Sequence, residues 1–210
     1  MTEEEYMAFD VVIVGAGPAG LSCAIRLKQL ASEKNKPLSV CILEKGSEVG
    51  AHLLSGAVLE PRALDELIPD WKKKEAPLRV PVTKDKFYYI TEKRSFRLPT
   101  PPQMKNHGNY IISLGELARW MAQQAENMGV EIFPGFAAAE ILYEEGDKAR
   151  VVGVKTGDMG IGKDGEKTAN YQPGVPIKAN QVVLSEGCRG SLTKGLFETF
   201  GLREACDPQT

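Results

Sequence analysis

A glycine-rich turn between a buried strand and a helix constrains the fold of this chain more than any other feature. The turn lies in the stretch FDVVIVGAGPAGLSCA, where residues 11–14 form an uninterrupted run of β-branched side chains. Such a run predicts a parallel strand that is buried on both faces. Gly15, Gly17 and Gly20 follow with the spacing G-x-G-x-x-G. The sequence therefore predicts a strand, a tight turn and a helix in that order.

The three glycines have different roles in a dinucleotide site. Gly15 permits the tight turn, Gly17 lets the backbone approach a pyrophosphate, and Gly20 lets the helix pack against the strand. The pyrophosphate lies at the helix N-terminus, where free N–H groups and the helix dipole favour negative charge. Pro18 and Ala19 lie between the second and third glycines and are assigned to the same site.

An acidic residue near the end of a second strand extends this pattern. The segment LSVCILEK at residues 38–45 predicts another buried strand that carries Glu44 near its end. A carboxylate about 20 residues after the glycine turn binds the ribose hydroxyls of a dinucleotide, and it disfavours the 2′-phosphate of NADP. Lys45 follows directly and is included among the candidate cofactor-binding residues. The spacing leaves both FAD and NAD open.

The segment after this acid favours FAD. Residues 46–61 form a long stretch, GSEVGAHLLSGAVLEP, and flavin proteins of the glutathione-reductase type often run such a glycine-bearing loop toward the flavin ring. Ser55 and Gly56 in this loop are candidate cofactor-binding residues. Late in the chain, a strand at residues 181–184 leads into a second glycine turn at Gly187. We expect this second turn beside the first one, near the flavin.

The order of the remaining elements predicts the fold class. Residues 79–112 contain short strands with turns, which indicate an antiparallel insertion. A helix follows that Ser113 caps, with Glu116 as the capping-box partner, and that ends at Gly129. A β-meander comes next, then a polar, glycine-rich segment at residues 159–174 that predicts a mobile or functional loop. This order predicts an α/β FAD-binding dinucleotide fold of the glutathione-reductase type with an antiparallel β insertion.

One apolar stripe has two interpretations. Its members have the i, i+3, i+4, i+7 spacing of one helix face; they are Leu64, Leu67, Ile68 and Trp71. The first interpretation is a helix packed on the protein core. The second is a membrane-surface helix, because the three lysines at residues 72–74 suit anionic lipid head groups. The pattern alone leaves both open.

Charge and cysteine usage exclude several classes of function. The net charge of −2 gives no support to nucleic-acid binding, which needs a basic face. No apolar run approaches the roughly 20 residues of a membrane-spanning helix. No C-x-x-C pair occurs, which argues against a zinc or iron–sulfur site in this chain and predicts buried free thiols at Cys23, Cys41, Cys188 and Cys206.

No residue of the chain is assigned a catalytic role. His52 and His107 have no evident partner in the sequence, and no G-x-S-x-G motif or carboxylate pair is present. This is the pattern expected of an electron-transfer flavoprotein, in which the cofactor carries the chemistry.

Taken together, the segments resemble the electron-transfer flavoprotein–ubiquinone oxidoreductase family from about Phe9 to Thr210, essentially the whole chain. The later segments are more specific than the glycine motif, which many proteins share. The segments that carry the resemblance lie at residues 11–30, 43–61, 64–78, 106–142 and 185–190.

The resemblance implies a membrane-associated enzyme that accepts electrons from reduced electron-transfer flavoprotein and reduces ubiquinone. FAD and a [4Fe–4S] cluster are the implied carriers. The implied FAD-binding domain has its first part at residues 9–78 and continues at 113–210. The start of a quinone-binding antiparallel insertion, part of an α+β domain, lies between them at 79–112. The family is monotopic on the inner membrane, bacterial or mitochondrial, and the segment that matches residues 49–70 contacts the bilayer, which favours membrane contact for the stripe.

One departure from the family limits these expectations. The cluster cysteines of the family form a closely spaced set near its C-terminus, and nothing in this chain matches them. We therefore assign no cluster ligand or quinone contact here, and we expect an N-terminal portion that is incomplete at its C-terminus and inactive alone. Two alternatives stay open. One is a related FAD-dependent reductase or hydroxylase, such as a geranylgeranyl-reductase-like enzyme, and the other is a non-catalytic flavin-binding module.

Overall fold

The computed structural model of the chain describes residues 6–54, 56–162 and 164–206. Its helices are α1 Pro18–Glu33, α2 Arg62–Leu67, α3 Leu114–Asn127 and α4 Ser191–Phe200, with short 3₁₀ turns at Pro102–Met104 and Gly187–Arg189. Its strands are β1 Met7–Val14, β2 Val40–Glu44, β3 Ala57–Leu59, β4 Val80–Pro81, β5 Phe87–Ile90, β6 Ser95–Leu98, β7 Tyr110–Ile112, β8 Val130–Pro134, β9 Ala138–Glu144, β10 Asp147–Thr156, β11 Met159–Ile161, β12 Lys167–Gln172 and β13 Pro176–Leu184.

A six-stranded mixed sheet forms the centre of the molecule, with the strand order β8-β2-β1-β13-β10-β9. The first four of these strands are parallel, and β10 and β9 run antiparallel at one side. Residues 11–14 of β1 are buried on both faces, as their β-branched run predicts. Helices α1 and α3 pack in the core on one face of the sheet, and Leu192 of α4 packs in the core on the other. The α/β fold with an antiparallel insertion is therefore confirmed.

The boundaries of α3 agree with the sequence. Helix α1 ends at Glu33, and α3 begins after Ser113, whose side chain accepts a hydrogen bond from the backbone N–H of Glu116 at 3.4 Å. After α3, Gly129 has a φ of +80°, the left-handed conformation that ends many helices. The two ends of α3 therefore lie where the local cap residues predict them.

The antiparallel insertion forms two small sheets. Strand β7 lies between β3 and β4, and β5 pairs with β6 as a separate hairpin. Because β3 precedes residue 79 and β7 lies within residues 79–112, one sheet joins both sides of the expected domain boundary. The division of the chain at residues 78 and 112 therefore stays a prediction.

The predicted membrane contact of the apolar stripe is wrong, because its side chains belong to the protein core. Leu64, Ile68 and Trp71 are 6%, 3% and 4% exposed, and Leu67 is half-buried against the same cluster. The indole of Trp71 donates a hydrogen bond to Asp65 at 2.7 Å. Helix α2 ends at Leu67, whose carbonyl accepts from the Gln29 side chain of α1, and the following turn folds the rest of the stripe inward.

The polar segment at residues 159–174, which was expected to be a mobile or functional loop, contains two paired strands, so the expectation of a loop without strands is wrong. Strands β11 and β12 pair in antiparallel fashion. Asp158 at the base of the hairpin accepts hydrogen bonds from the hydroxyl of Tyr171 at 2.9 Å and from the backbone N–H of Gly174 at 2.8 Å. These hydrogen bonds, the backbone one foremost, lower the pKa of the Asp158 carboxyl. The carboxylate of Asp158 therefore connects the beginning of the segment to its end.

The cysteines differ in exposure more than the sequence indicates. Cys41 is fully buried and Cys23 is half-buried, but Cys188 and Cys206 are exposed, so the expectation of buried thiols fails for these two. Burial, with a smaller contribution from the Glu131 carboxylate, raises the pKa of the Cys41 thiol to about 12. The part of the chain that the structure describes holds no group of three or more metal-ligating side chains. In that part, no helix is long and apolar enough to cross a membrane.

We expect thiol alkylation to separate the cysteines into two classes. Iodoacetamide at about pH 8 should modify Cys188 and Cys206 in the native protein, because their thiols are exposed. Cys41 should react only after unfolding, because it is protonated and shielded in the fold. Peptide mass spectrometry of native and denatured samples measures both, and alkylated Cys41 in the native sample would contradict the buried position.

One close backbone contact ties the segment after β2 to helix α3. A Cβ at Gly115 would lie 3.2 Å from the carbonyl oxygen of Gly50. A Cβ at Gly50 would lie 2.8 Å from the carbonyl oxygen of Gly115, and Gly50 also has a φ of +89°. Gly50 is therefore restricted to glycine by its conformation and by this contact, and a side chain at Gly115 requires the backbone of Gly50 to shift.

The same substitution in two helices tests this contact. Gly195→Ala in α4 should raise the free energy of unfolding by about 0.5–1 kcal/mol, because alanine is the better helix former and no described atom lies within 4 Å of the new Cβ. Gly115→Ala in α3 should lower it, because the methyl group presses on Gly50. Urea denaturation measures both. A stabilised Gly115→Ala variant would show that the two backbones are not held together.

Candidate functional site

The carboxyl ends of three adjacent parallel strands converge on one place. Strand β1 lies between β2 and β13, and its pairing extends past the end of the strand on both sides. The backbone N–H of Gly15 donates to the carbonyl of Leu43 at 2.8 Å, and that of Ser185 donates to Val14 at 2.8 Å. The segments that follow β1, β2 and β13 therefore meet at the edge of the sheet where open α/β folds bind ligands.

The first and third glycines of the turn are required by packing. Gly15 has a φ of +105°, and a Cβ there would overlap the carbonyl oxygen of Ser185. A Cβ at Gly20 would overlap the carbonyl oxygen of Gly15 and would lie 3.2 Å from a methyl group of Ile13. These contacts agree with the predicted roles in the tight turn and in helix–strand packing.

Gly17 is not required by packing. Its φ of −78° and ψ of 177° suit any residue, and no described residue other than its two chain neighbours has an atom within 4 Å of the position a Cβ would take. The absence of a side chain therefore leaves open space over the backbone, as a site for a pyrophosphate requires.

The N-terminus of α1 is available to an anion. Gly17 is the N-cap, Pro18 is in the first turn, and Ala19 is exposed. Among the described residues no side chain caps this end, and the first turn carries no acidic residue. Its free N–H groups and the positive end of the helix dipole can therefore bind a phosphate.

Glu44 lies beside this turn. One carboxylate oxygen accepts from the backbone N–H of Ala16 at 3.0 Å, and the other accepts from that of Gly46 at 2.7 Å. A carboxylate has about four acceptor positions, so two remain for the hydroxyls of a ribose. The side chain is half-buried and its orientation is fixed by two backbone groups, so it fits the predicted contact with an adenosine ribose. Lys45 is exposed directly after it.

The remaining candidates are placed less closely around the turn. Ser55 lies outside the described residues, and Gly56 is exposed, with a φ of +82°, immediately before β3. Gly187 is exposed, with a φ of +75°, and it begins the 3₁₀ turn after β13. The hydrogen bond from Ser185 to Val14 brings this second glycine turn beside the first, as expected.

Sequence reasoning missed two residues of the site. The backbone N–H of Gly46 holds Glu44, and its carbonyl accepts from Gly135 at 2.7 Å. Glu186 lies in the second turn, where its carboxylate accepts from backbone and hydroxyl groups of α4. A G-x-G-x-x-G search gives no signal for either one, and an acid several residues before a predicted helix is the nearest clue to Glu186.

Comparisons with known proteins agree with this geometry. The model of the NAD(P)-binding Rossmann-like domain matches residues 13–67, which include β2, the glycine turn and Glu44. Among solved structures, a geranylgeranyl bacteriochlorophyll reductase-like protein of Thermoplasma acidophilum has a TM-score of 0.61 and 22% identity over 87% of this chain and 40% of its own. Aklavinone-11 hydroxylase, solved with FAD and aklavinone, has a TM-score of 0.59 and 20% identity over 93% and 35%.

Two curated relatives are far more similar in sequence. The mitochondrial electron transfer flavoprotein-ubiquinone oxidoreductase of Dictyostelium discoideum is 62% identical over 96% of this chain and 33% of its own length. A probable electron transfer flavoprotein-ubiquinone oxidoreductase of Acinetobacter baylyi is 58% identical over 99% and 37%. The chain spans about a third of the length of these relatives.

The fold and the glycine turn define a Rossmann-like dinucleotide-binding domain, a fold shared with a hydroxylase that was solved with FAD. Within that class, the sequence is most informative about the family. Along the stretch that it shares with them, the chain is a homologue of the electron transfer flavoprotein-ubiquinone oxidoreductases.

Proposed function

We propose that this chain is the FAD-binding part of an oxidoreductase that passes electrons from reduced electron-transfer flavoprotein to ubiquinone. The observation that carries the proposal is the pairing of an uncapped helix N-terminus with an oriented carboxylate, in a chain 62% identical to a relative of that name. The redox chemistry would come from the flavin when it is bound. The residues of the chain bind it, orient it and set its surroundings.

Each group in the site has a defined part in this proposal. The N–H groups at the start of α1 bind the pyrophosphate over Gly17, and Pro18 and Ala19 shape that turn. Glu44 accepts hydrogen bonds from the adenosine ribose with the acceptor positions that Ala16 and Gly46 leave free. Ser55, Gly56 and Gly187 are proposed to approach the flavin, and Lys45 stays a candidate contact beside Glu44.

The domain division is proposed along the same lines. Residues 9–78 and 113–210 form the FAD-binding domain, and residues 79–112 begin a quinone-binding unit. The [4Fe–4S] cluster that the family resemblance implies does not fit the described residues, because they include no group of three or more possible metal ligands. No step of the reaction is therefore assigned to a cluster here.

The sequence comparisons favour this function over a related reductase or hydroxylase. The similarity to the reductase-like protein and to the hydroxylase is 22% and 20% in identity and concerns the fold alone. The identities of 62% and 58% to the quinone oxidoreductases extend over 96% and 99% of this chain.

A substitution at Gly17 tests FAD binding without disturbing the fold. Gly17→Val should abolish retention of FAD, because the side chain fills the space over the backbone that the pyrophosphate needs. The variant should unfold at the same temperature as the wild-type apoprotein, because the backbone conformation at residue 17 suits valine. Flavin absorbance of the purified full-length enzyme measures the effect.

Gly20→Ala is the matched comparison. A Cβ there overlaps the backbone of Gly15, so this variant should lose stability as well as flavin. A Gly17→Val protein that keeps a full complement of flavin would refute the proposed position of the pyrophosphate.

A membrane contact is proposed for the β5–β6 hairpin, now that the stripe at Leu64 is placed in the core. Phe87 pairs with Leu98 and Tyr89 with Phe96, so one face of this two-stranded ribbon is wholly apolar. Tyr89 is 60% exposed and Phe96 is 49% exposed. The ribbon also carries exposed cations that suit anionic head groups: Lys86, Lys93, Arg94 and Arg97.

Vesicle flotation of the full-length enzyme tests the hairpin. The double change Tyr89→Ser and Phe96→Ser should weaken binding to vesicles of phosphatidylcholine and phosphatidylglycerol by at least about tenfold, because two aromatic side chains leave the lipid interface. Flavin content should stay the same. Tyr6→Ser, which removes an exposed aromatic side chain outside the ribbon, is the control. Equal binding by the double variant and the control would rule out the hairpin as the contact.

A further inference from the structure

The two helices that begin near the glycine turns differ in how the N–H groups at their N-termini are paired. Helix α1 has no side-chain cap among the described residues. At α4, the carboxylate of Glu186 accepts from the backbone N–H of Leu192 at 3.2 Å and from that of Thr193 at 2.8 Å. The hydroxyl of Thr193 donates to it as well, at 2.7 Å. The protein thus supplies its own anion to α4 and leaves α1 free for a ligand.

The contacts of Glu186 also fix the turn that follows it. Gly190 is buried, and a Cβ there would lie 2.5–2.9 Å from side-chain atoms of Glu186. Residues 187–189 are therefore held as a short bridge between two anchors. One anchor is the hydrogen bond of Ser185 to β1, and the other is the carboxylate at the start of α4.

Residues 187–189, which form this bridge, make fewer contacts than the two anchors. Gly187 has a φ of +75°, and no described atom lies within 4 Å of its Cβ position. Cys188 and Arg189 are exposed. The conformation of the turn beside Gly15 therefore depends on its two ends, and one of those ends is the Glu186 carboxylate.

From this geometry we infer that Glu186 is a positioning residue, which holds the second glycine turn in the conformation that receives the flavin. The inference rests on the proposed function, in that Gly187 approaches FAD. Without the carboxylate, α4 loses its cap and the turn samples other conformations. If the turn is then competent for about a tenth of the time, the apparent dissociation constant of FAD rises about tenfold.

Glu186→Gln in the full-length enzyme tests the inference. The change keeps the size of the side chain and one acceptor, and it removes the charge and the second acceptor. We expect FAD to dissociate about tenfold more readily, measured by the fluorescence of released flavin. We also expect faster alkylation of Cys188 in the apoprotein, because that thiol lies on the loosened turn.

Two further variants separate positioning from a general loss of stability. Thr193→Val removes one of the three donors and leaves the charge, so its effect on FAD should be smaller and in the same direction. Thr199→Val removes a hydrogen bond from the hydroxyl to the carbonyl of Gly195, at the far end of the same helix, and should leave FAD binding unchanged. The inference is overturned if Thr199→Val weakens FAD as much as Glu186→Gln, or if Glu186→Gln alters neither readout.

The alkylation rate also distinguishes this inference from the proposed function. If the wild-type enzyme retains no flavin, the proposed function fails. Faster alkylation of Cys188 in the Glu186→Gln apoprotein still supports the anchoring of the turn, because that reaction needs no cofactor.

Discussion

The pairing of β1 with a parallel strand on each side is the interaction on which the rest of the structure depends. Its β-branched residues are buried on both faces, so the strand can lie only in the middle of the sheet. Two backbone hydrogen bonds continue the pairing beyond the strand, from Gly15 to Leu43 and from Ser185 to Val14. Three segments that are distant in sequence are thereby brought within contact of one another, and the candidate site is the place where they meet.

The N-termini of α1 and α4 differ in their electrostatic environment. The start of α1 has backbone donors and no carboxylate, whereas the start of α4 is already paired with Glu186. Glu44 carries another negative charge beside the turn, and the backbone N–H groups of Ala16 and Gly46 orient it. Of these two helix ends, only the start of α1 is without a carboxylate partner among the described residues, an arrangement suited to a single dinucleotide.

The sequence predicts the features that depend on adjacent residues, and it does not predict the features that depend on a contact with a residue outside the local pattern. The glycine turn, the cap at Ser113 and the buried strand are local patterns, and the structure has them all. The stripe that includes Trp71 has a helical period, but the period says only that one face is apolar, and α1 and Tyr110 cover it. The hairpin of β11 and β12 was missed because Asp158 holds it from outside the segment. Glu186 was missed because its partners lie six and seven residues further on.

The contrast between Gly17 and its two neighbours separates folding from binding within a single motif. Gly15 and Gly20 are required by backbone contacts, so any chain with this fold needs them whether or not it has a ligand. Gly17 meets no such contact, so its place in the motif depends on the proposed pyrophosphate. In a lineage that gave up the cofactor, selection for stability would continue to preserve the first and third glycines, and the second would be free to drift. A side chain at that position in a related sequence would therefore indicate a protein that has kept the fold and no longer binds the cofactor.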